Sequence, residues 1–220
     1  MESLEIMPIR VRITAILRKA ILSGEYQAGQ ELSLTEIAAK LGVSRTPVRE
    51  AFQTLEGERL IQLRMNRGAI VLPVDNKFIR DHFEMRMLLE GEAAFRAAER
   101  GMTEESKLLE EQRRLLRDFD QVSISEIEEA NVALHTAIWK AADNQKLYDY
   151  LNALWNGPSI RDEKMTKKHH QLSLKEHIAV LEKIGEASAE GAKEAMRIHI
   201  GRSLQNMLLT AEKESAEAKA

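Results

Sequence analysis

The 220-residue chain contains no cysteine, only 4 proline and 11 glycine residues, and just 5% aromatic residues. Without cysteine there is no disulfide framework, no thiolate zinc site and no cysteine nucleophile, so any metal must be held by histidine and oxygen ligands. The low content of glycine, proline and aromatic residues argues against a β-sandwich or barrel. We therefore predict a mostly helical protein.

Long apolar runs are also missing. No stretch approaches the ~20 apolar residues that a membrane span requires, and the acidic N-terminus is not followed by a signal-peptide run. We expect a cytoplasmic protein that does not associate with membranes. The net charge of −3, taken alone, argues against nucleic acid as a partner.

Residues 1–74 have the pattern of a winged helix-turn-helix, with three helices and a small β-hairpin. Ser33 and Glu36 form a capping box at the start of a short helix, and Gly42 ends it. Two residues later Ser44 is expected to cap another helix, and two short helices joined by a tight glycine turn are typical of helix-turn-helix proteins. The apolar runs that follow, around an Asn/Gly-containing turn at 65–68, predict the hairpin, or wing.

Residues 75–212 are helical in pattern throughout and predict an antiparallel bundle, and a disordered tail is expected over 213–220. A second capping box, Ser173 to Glu176, is expected to open a helix with His177 in its first turn. The charged run 161–170 is expected to be a solvated helix end and loop.

The charge is divided unevenly along the chain. Between Ile9 and Ile70 there are ten basic and six acidic residues, a net charge of +4, which leaves −7 for the rest. Arg45, Thr46 and Arg49 are expected to point outward at a helix start, where anions are favoured and arginine can reach guanine in a major groove. Each arginine alone also fits a solvated charged face, but the ordered set favours DNA binding.

These residues resemble the GntR family of bacterial transcription regulators. The similar segments, over roughly residues 9–72, are Ile21–Gly24, Ala28-Gly29, Leu32, Ile37-Ala38, Leu41–Ala51 and Leu55-Glu56. The resemblance implies that Arg45, Thr46 and Arg49 read or clamp the operator, with Ser44 on phosphate. Arg67 would contact DNA from the wing, and Gly68 would let the wing approach closely.

Three positions depart from the family pattern. Thr35 stands where some members have an arginine that contacts DNA, so that contact is not expected here. Ala28 stands where the family usually has proline, which should only loosen a turn. Arg59 stands where glycine usually precedes the wing strand, so we expect a strained, left-handed residue there.

Three histidines on different predicted helices form a possible metal-binding set. His135, His177 and His199 could converge in a bundle core and hold one divalent metal through imidazole nitrogens. A single histidine is more often a core or surface residue, which remains the interpretation for His82, His169 and His170, so convergence stays open at this point.

Residues 80–210 are similar to the helical ligand-binding domain of the FadR subfamily, the FCD type. The similarity lies in Arg86–Glu90, Asn131–His135, Glu176-His177 and His199. It implies that Asn131, His135, His177 and His199 hold a divalent metal, with Asn131 in place of the family's aspartate. Zn²⁺ or Ni²⁺ suits imidazole ligands best.

The same resemblance implies an effector site in this domain. Arg86 would face the cavity and pair with a carboxylate, although an ion pair with Glu90, four residues on, is the alternative. Arg161, Ser203 and Asn206 are weaker candidates for the cavity wall.

The predicted protein is a homodimeric transcription regulator. It would bind a pseudo-palindromic double-stranded DNA operator, and a small carboxylate metabolite, bound with a metal, would control its affinity. One alternative is a metal-dependent enzyme using the same histidines, against which no HExxH-like unit is present. The other is a metabolite sensor that does not bind DNA.

Overall fold

The computed structural model describes residues 8–22, 24–65, 68–155 and 167–217, with side chains described as far as residue 209. The described residues form two compact units, one spanning residues 8–75 and the other residues 76–154 and 167–217. Within these ranges, no helix has both the length and the apolar character needed to cross a membrane.

The first unit combines helices with a small antiparallel sheet whose strand order is β1-β3-β2. Its elements are α1 (Ile9–Leu22), β1 (Glu31–Leu32), α2 (Leu34–Leu41), α3 (Arg45–Gly57), β2 (Ile61–Arg64) and β3 (Gly68–Val71). The predicted hairpin is present, and β1 adds a third strand by pairing Leu32 with Ala69. Two residues are too few for an alternating pattern to reveal a strand in the sequence.

The local signals that predicted α2 are found in the structure, whereas Ser44 precedes α3 without the capping hydrogen bond expected of it. The Ser33 hydroxyl accepts a hydrogen bond from the Glu36 backbone N–H at 3.4 Å, and Gly42 ends α2 with a left-handed φ of 66°. The apolar side of α3 is fully buried and includes Phe52 and Leu55. Arg59 has the expected positive φ, at 57°.

The second unit is a helical bundle. Its described elements are α4 (Asn76–Arg100), α5 (Glu105–Arg117), α6 (Ile124–Ala141), α7 (Gln145–Trp155), α8 (Lys167–Gly185) and α9 (Ala189–Glu217). Helix α4 packs along α9, α8 packs against both α9 and α5, and α6 packs against α4. Buried alanines at 93, 94 and 97 allow α4 to lie close to its neighbours. The interior of the bundle is therefore lined by α4, α5, α6, α8 and α9.

Two boundary predictions in this unit are wrong. Helix α8 already includes Lys167, so Ser173 lies within the helix rather than at its start, and His177 is not in a first turn. His169 and His170 are helical and buried rather than part of a solvated loop. The Ser-x-x-Glu spacing also places both side chains on one face inside a helix, where the same pattern has no capping role. Helix α9 likewise extends into the segment predicted to be frayed.

Candidate metal centre and nucleic-acid interface

The structure brings three of the predicted metal ligands together in the bundle interior. His135 comes from α6, His177 from α8 and His199 from α9, and they are 0%, 1% and 4% exposed. One nitrogen from each ring lies within 4.8 Å of the others. The Nε2 atoms of His177 and His199 are 3.3 Å apart.

In each of the three rings the Nδ1 atom is hydrogen-bonded to a side-chain oxygen. Nδ1 of His135 lies 2.5 Å from Oε2 of Glu90, and Nδ1 of His199 lies 2.8 Å from Oε2 of Glu176. An ionised carboxylate only accepts hydrogen bonds, so both Nδ1 atoms carry a proton and Nε2 is the atom that could bind a metal when the ring is neutral.

The third ring is held by an amide. Nδ1 of His177 lies 3.0 Å from Oε1 of Gln112, and the side chain of Gln112 is fully buried on α5. With the amide oxygen as acceptor, Nδ1 of His177 also donates, and its Nε2 is left with a lone pair. In their neutral forms the three rings would share one tautomer.

The electrostatics of the centre favour ionised carboxylates. Burial raises the pKa of Glu90, but the charges and hydrogen bonds of Arg86 and His135 outweigh it and lower the pKa to about 2. For Glu176, burial is likewise outweighed by hydrogen bonds from His199 and Arg202, which lower its pKa.

Burial also lowers the pKa of two of the histidines. The pKa of His177 falls well below its usual value, with the neighbouring His199 adding to the effect of burial. The pKa of His199 falls to about 4, because burial outweighs the opposing hydrogen bond to Glu176. At neutral pH these imidazoles are therefore in the neutral form that binds metals.

This donor set fits a divalent metal. Two lone pairs facing each other at the His177–His199 separation repel unless a cation or proton lies between them. Two nitrogen ligands placed 2.0–2.1 Å from a tetrahedral zinc ion are themselves about 3.3 Å apart, and this matches the observed separation of 3.3 Å. Buried nitrogens with carboxylate or amide partners behind them are the usual ligands of Zn²⁺ and Ni²⁺.

Asn131 lies one turn before His135 on α6 and is half-buried. Its position on the helix is compatible with a ligand role, which stays a prediction.

Arg86 is connected to the metal centre by its ion pair with Glu90, the partner of His135. Its Nε donates to Oε1 of Glu90 at 2.7 Å, the i,i+4 contact that was the alternative to an effector role. Arg202 has the corresponding place on the other side, where its Nε donates to Oε1 of Glu176 at 2.5 Å.

The partners of the histidines were missed by the sequence analysis. Glu90 was noted only for its spacing from Arg86, Glu176 was interpreted as a helix cap, and Gln112 and Arg202 were given no role. Arg202 follows His199 by three residues on α9 and so lies on the same helix face, which is the one signal that the sequence offers.

Two of the three remaining predicted effector residues, Ser203 and Asn206, contact histidines of the second unit. Ser203 donates to the backbone carbonyl of His199 at 3.2 Å, within α9. Nδ2 of Asn206 lies 2.6 Å from Nδ1 of His169. Arg161 lies outside the described residues.

The predicted DNA-reading residues lie together at the start of α3. Ser44, Arg45, Thr46 and Arg49 are all exposed. The Ser44 hydroxyl makes no capping hydrogen bond, so both it and the helix N-terminus are accessible to a phosphate. Arg67 lies outside the described residues.

Some of the basic residues in this unit have internal partners. Arg18, only 6% exposed, donates through Nε to Oε2 of Glu58 at 2.8 Å, which connects α1 to the end of α3. Lys40 pairs with Glu25 at 3.0 Å. The positive charge of the first unit is therefore reduced on some faces and remains accessible at the start of α3.

The structure gives Gly68 a role within the sheet. Its φ is 87°, and a Cβ added there would lie 2.0 Å from the backbone oxygen of Leu32 on β1. A side chain would thus clash with the neighbouring strand, and a close approach to DNA stays a prediction.

Comparisons with known proteins agree on both units. The profile described as bacterial regulatory proteins, gntR family, matches residues 9–71, and the FCD domain profile matches residues 81–202. The gluconate operon transcriptional repressor of Bacillus subtilis is 34% identical over 152 residues, which cover 66% of this chain and 58% of that protein. The matched part thus spans less than two thirds of that relative.

Solved structures share the fold. Escherichia coli McbR/YncC superposes with a TM-score of 0.71 at 18% identity, over 94% of this chain and 100% of that one. The metal-free FCD domain of TM0439 gives a TM-score of 0.55 at 18% identity, over 64% of this chain and 99% of that one.

Proposed function

The chain belongs to the GntR family of bacterial transcription regulators and carries an FCD domain, and on this premise we propose that a small carboxylate, bound at a divalent metal in the FCD domain, controls its affinity for an operator. The family and the relatives named above are transcription regulators, not enzymes, so the histidines serve a regulatory site rather than a catalytic one.

The observation that carries the proposal is the convergence of the buried His135, His177 and His199, with an acceptor at the Nδ1 atom of each ring. The acceptors are Glu90, Gln112 and Glu176, so the Nε2 atoms are the ring nitrogens left to bind an ion, and one nitrogen of each ring lies within 4.8 Å of the others. FCD domains can bind metals, and these three nitrogens are the groups that would hold the ion. A bound divalent metal would supply a Lewis-acidic centre with further positions for oxygen ligands.

The charge balance of the site favours an anionic effector. The charges of Arg86 and Glu90 cancel, as do those of Arg202 and Glu176, and the imidazoles are neutral ligands. Asn131 adds no negative charge where a carboxylate ligand would. The charge of a bound metal would therefore remain uncompensated by the protein and would attract a carboxylate.

DNA binding would use the exposed start of α3. Arg45 and Arg49 would contact base edges or phosphate, and the helix N-terminus at Ser44 would contact the backbone. In a homodimer, two such units would bind the two halves of a pseudo-palindromic operator. An effector would change DNA binding only if its affinity differs between the DNA-competent arrangement and the other one.

The first experiment is a thermal-shift titration of the full chain with ZnCl₂, with D-gluconate, and with both, each repeated with EDTA. Gluconate is the probe because it is a hydroxycarboxylate and the Bacillus subtilis relative is named for the gluconate operon. We expect zinc to raise the melting temperature, and gluconate to raise it further only when zinc is present. A gel shift on the DNA upstream of the gene, with the same additions, measures the effect on operator binding.

Three results would contradict parts of the proposal. If zinc and Ni²⁺ leave the melting temperature unchanged, the metal centre is wrong. If sugar acids and simpler carboxylates stabilise the EDTA-treated and the zinc-loaded protein equally, the effector does not bind at the metal. If the upstream DNA is not bound with or without ligand, the operator does not lie there or DNA binding fails, and selection from a random DNA library separates these two cases.

A further inference from the structure

Arg202 contacts three side chains on successive turns of α8. Its Nε donates to Oε1 of Glu176 at 2.5 Å, and one terminal nitrogen donates to the Ser173 hydroxyl at 2.8 Å. The other terminal nitrogen lies 3.0 Å from Nδ1 of His169. All three nitrogens of the guanidinium are thus directed at one face of α8, and the side chain of Arg202 is 17% exposed.

Glu176 connects this guanidinium to a metal-ligand candidate. Oε1 accepts from Arg202, while Oε2 accepts from Nδ1 of His199 at 2.8 Å. A carboxylate held at both oxygens has little freedom to rotate. The direction of its second oxygen therefore sets the orientation of the His199 ring, and with it the direction of the Nε2 lone pair.

A second series of hydrogen bonds, again from an arginine through a glutamate to a histidine, lies on the other side of the centre. Arg86 donates to Oε1 of Glu90, whose Oε2 accepts from Nδ1 of His135. In this series the arginine and the glutamate lie on the same helix, since Arg86 and Glu90 are both on α4. In the series that starts at Arg202, the arginine and the histidine both lie on α9, and Glu176 on α8 connects them.

We propose that Arg202 is a positioning residue of the metal centre, which acts through Glu176 to orient His199 toward the ion. The inference rests on the proposed function, because it assumes that His199 is a metal ligand. Arg202 does not touch the metal. Its removal leaves Oε1 of Glu176 without its guanidinium donor, so that the carboxylate and the imidazole behind it are free to rotate. The ring must then be reordered each time a metal binds.

The proposal differs from a purely structural role for Arg202. The same side chain also connects α8 to α9 through Ser173 and His169, so its loss will lower stability in any case. If Arg202 has only a structural role, its loss should change stability and zinc affinity by the same amount whether or not Glu176 is present. A positioning role predicts that the effect of Arg202 on metal affinity disappears when residue 176 is glutamine, which has one acceptor oxygen and cannot accept from both Arg202 and His199.

The test is a zinc competition titration against a chromophoric chelator at pH 7.5, on the full-length protein. The variants are Arg202→Gln, Glu176→Gln, the double variant, and Arg197→Gln as control. Arg197 is an exposed arginine on the same helix, five residues earlier, and its removal changes the net charge by the same amount. Circular dichroism and the melting temperature in EDTA establish that each variant is folded.

We expect Arg202→Gln and Glu176→Gln each to weaken zinc binding by about 10- to 100-fold, the usual cost of removing a partner behind a ligand. The double variant is expected to match Glu176→Gln alone, and Arg197→Gln to match the wild type. Arg202→Lys keeps the charge but loses the planar, multiple contact, so it should recover only part of the affinity. With Co²⁺ as the probe, the visible spectrum of Arg202→Gln should differ from that of the wild type.

The outcomes separate the two proposals. If the wild type does not bind zinc or Co²⁺, the metal centre is wrong and this inference is wrong with it. If the wild type binds zinc and Arg202→Gln binds as tightly as Arg197→Gln, only this inference is wrong. A further loss on adding Arg202→Gln to Glu176→Gln has the same meaning. If Arg202→Gln does not fold, the comparison of Arg202→Lys with Arg202→Lys/Glu176→Gln decides the question in the same way.

Discussion

Nε2 of His177 lies 3.3 Å from Nε2 of His199, although each ring has its Nδ1 proton directed away, at Gln112 and Glu176. Two imidazoles in this tautomer have nothing to donate to each other. A divalent cation removes the repulsion between the lone pairs, so metal binding should stabilise the folded chain.

We expect His177→Gln to abolish stabilisation by zinc. For the wild type, zinc at a hundredfold excess over its Kd should add about 2.7 kcal/mol to the free energy of unfolding. The measurement is the melting temperature with zinc and with EDTA. The matched control is His82→Gln, which changes a histidine of the same unit that is not part of the three-histidine centre; equal stabilisation of both variants by zinc would contradict the assignment.

Gln112→Glu should increase the affinity for zinc. The amide oxygen of Gln112 accepts from His177, while its buried Nε2 makes no hydrogen bond within the described part of the chain. A carboxylate at this position replaces that donor and makes His177 a more basic ligand, as Glu176 does for His199.

Without metal, Gln112→Glu should lower the stability of the folded chain, because it buries a carboxylate beside which the described residues show no arginine partner. We therefore expect a lower melting temperature in EDTA, a larger rise on adding zinc, and zinc binding tighter by severalfold in the competition titration. Gln112→Met, which removes the acceptor at similar volume, should weaken zinc binding instead. The assignment is wrong if both variants change the affinity in the same direction.

Local patterns explain how much of the fold was predictable. Gly42 and the Ser33–Glu36 box act within one turn, so their effects can be inferred from neighbouring residues, and the exposure of Arg45 follows from the periodicity of α3. Ser173 was misinterpreted because a Ser-x-x-Glu spacing has the same appearance at a helix start and on a buried helix face.

The partners of the metal centre depend on packing between helices. Glu90 is 45 residues before its partner His135, and Gln112 is 65 residues before His177. No periodicity within a helix links such positions. Only the family resemblance indicated that the three histidines converge, and only the structure shows which acceptors lie behind them.

Arg59→Gly should stabilise the region around the hairpin. Arg59 has a φ of 57°, which costs a non-glycine residue about 1 kcal/mol or more. Glycine removes this strain but has a more flexible unfolded state, so we expect a net gain of about 0.5–1 kcal/mol. Slower amide hydrogen exchange in β2 and β3, measured by mass spectrometry, would report it. Arg59→Ala removes the charge while keeping the strain, and a gain of the same size there would mean that charge is responsible.

Arg45→Ala and Arg49→Ala should each weaken operator binding. Both side chains are exposed at the start of α3. Loss of a base contact costs about 1–3 kcal/mol, and loss of a phosphate contact lowers the salt dependence of log K by about 0.9. Binding is measured by fluorescence anisotropy at several salt concentrations. Lys40→Ala is the control, since Lys40 is a basic residue of the same unit that pairs with Glu25; an equal effect there would show that only the overall charge matters.

Protonation of His82 should destabilise the protein in mild acid. Burial, aided by the nearby positive charge of Arg86, lowers the pKa of His82 to about 4, while the unfolded chain titrates near its usual value of about 6.5. As the pH falls, the unfolded state takes up this proton first, so the stability contributed by neutral His82 is fully present above about pH 6.5 and is lost as the pH falls toward 4. Melting temperatures between pH 7.5 and 4.5, in EDTA to exclude bound metal, should therefore fall less steeply for His82→Asn than for the wild type. Parallel curves for the two proteins would mean that His82 titrates at the same pH in the folded and unfolded states, because the other groups are common to both.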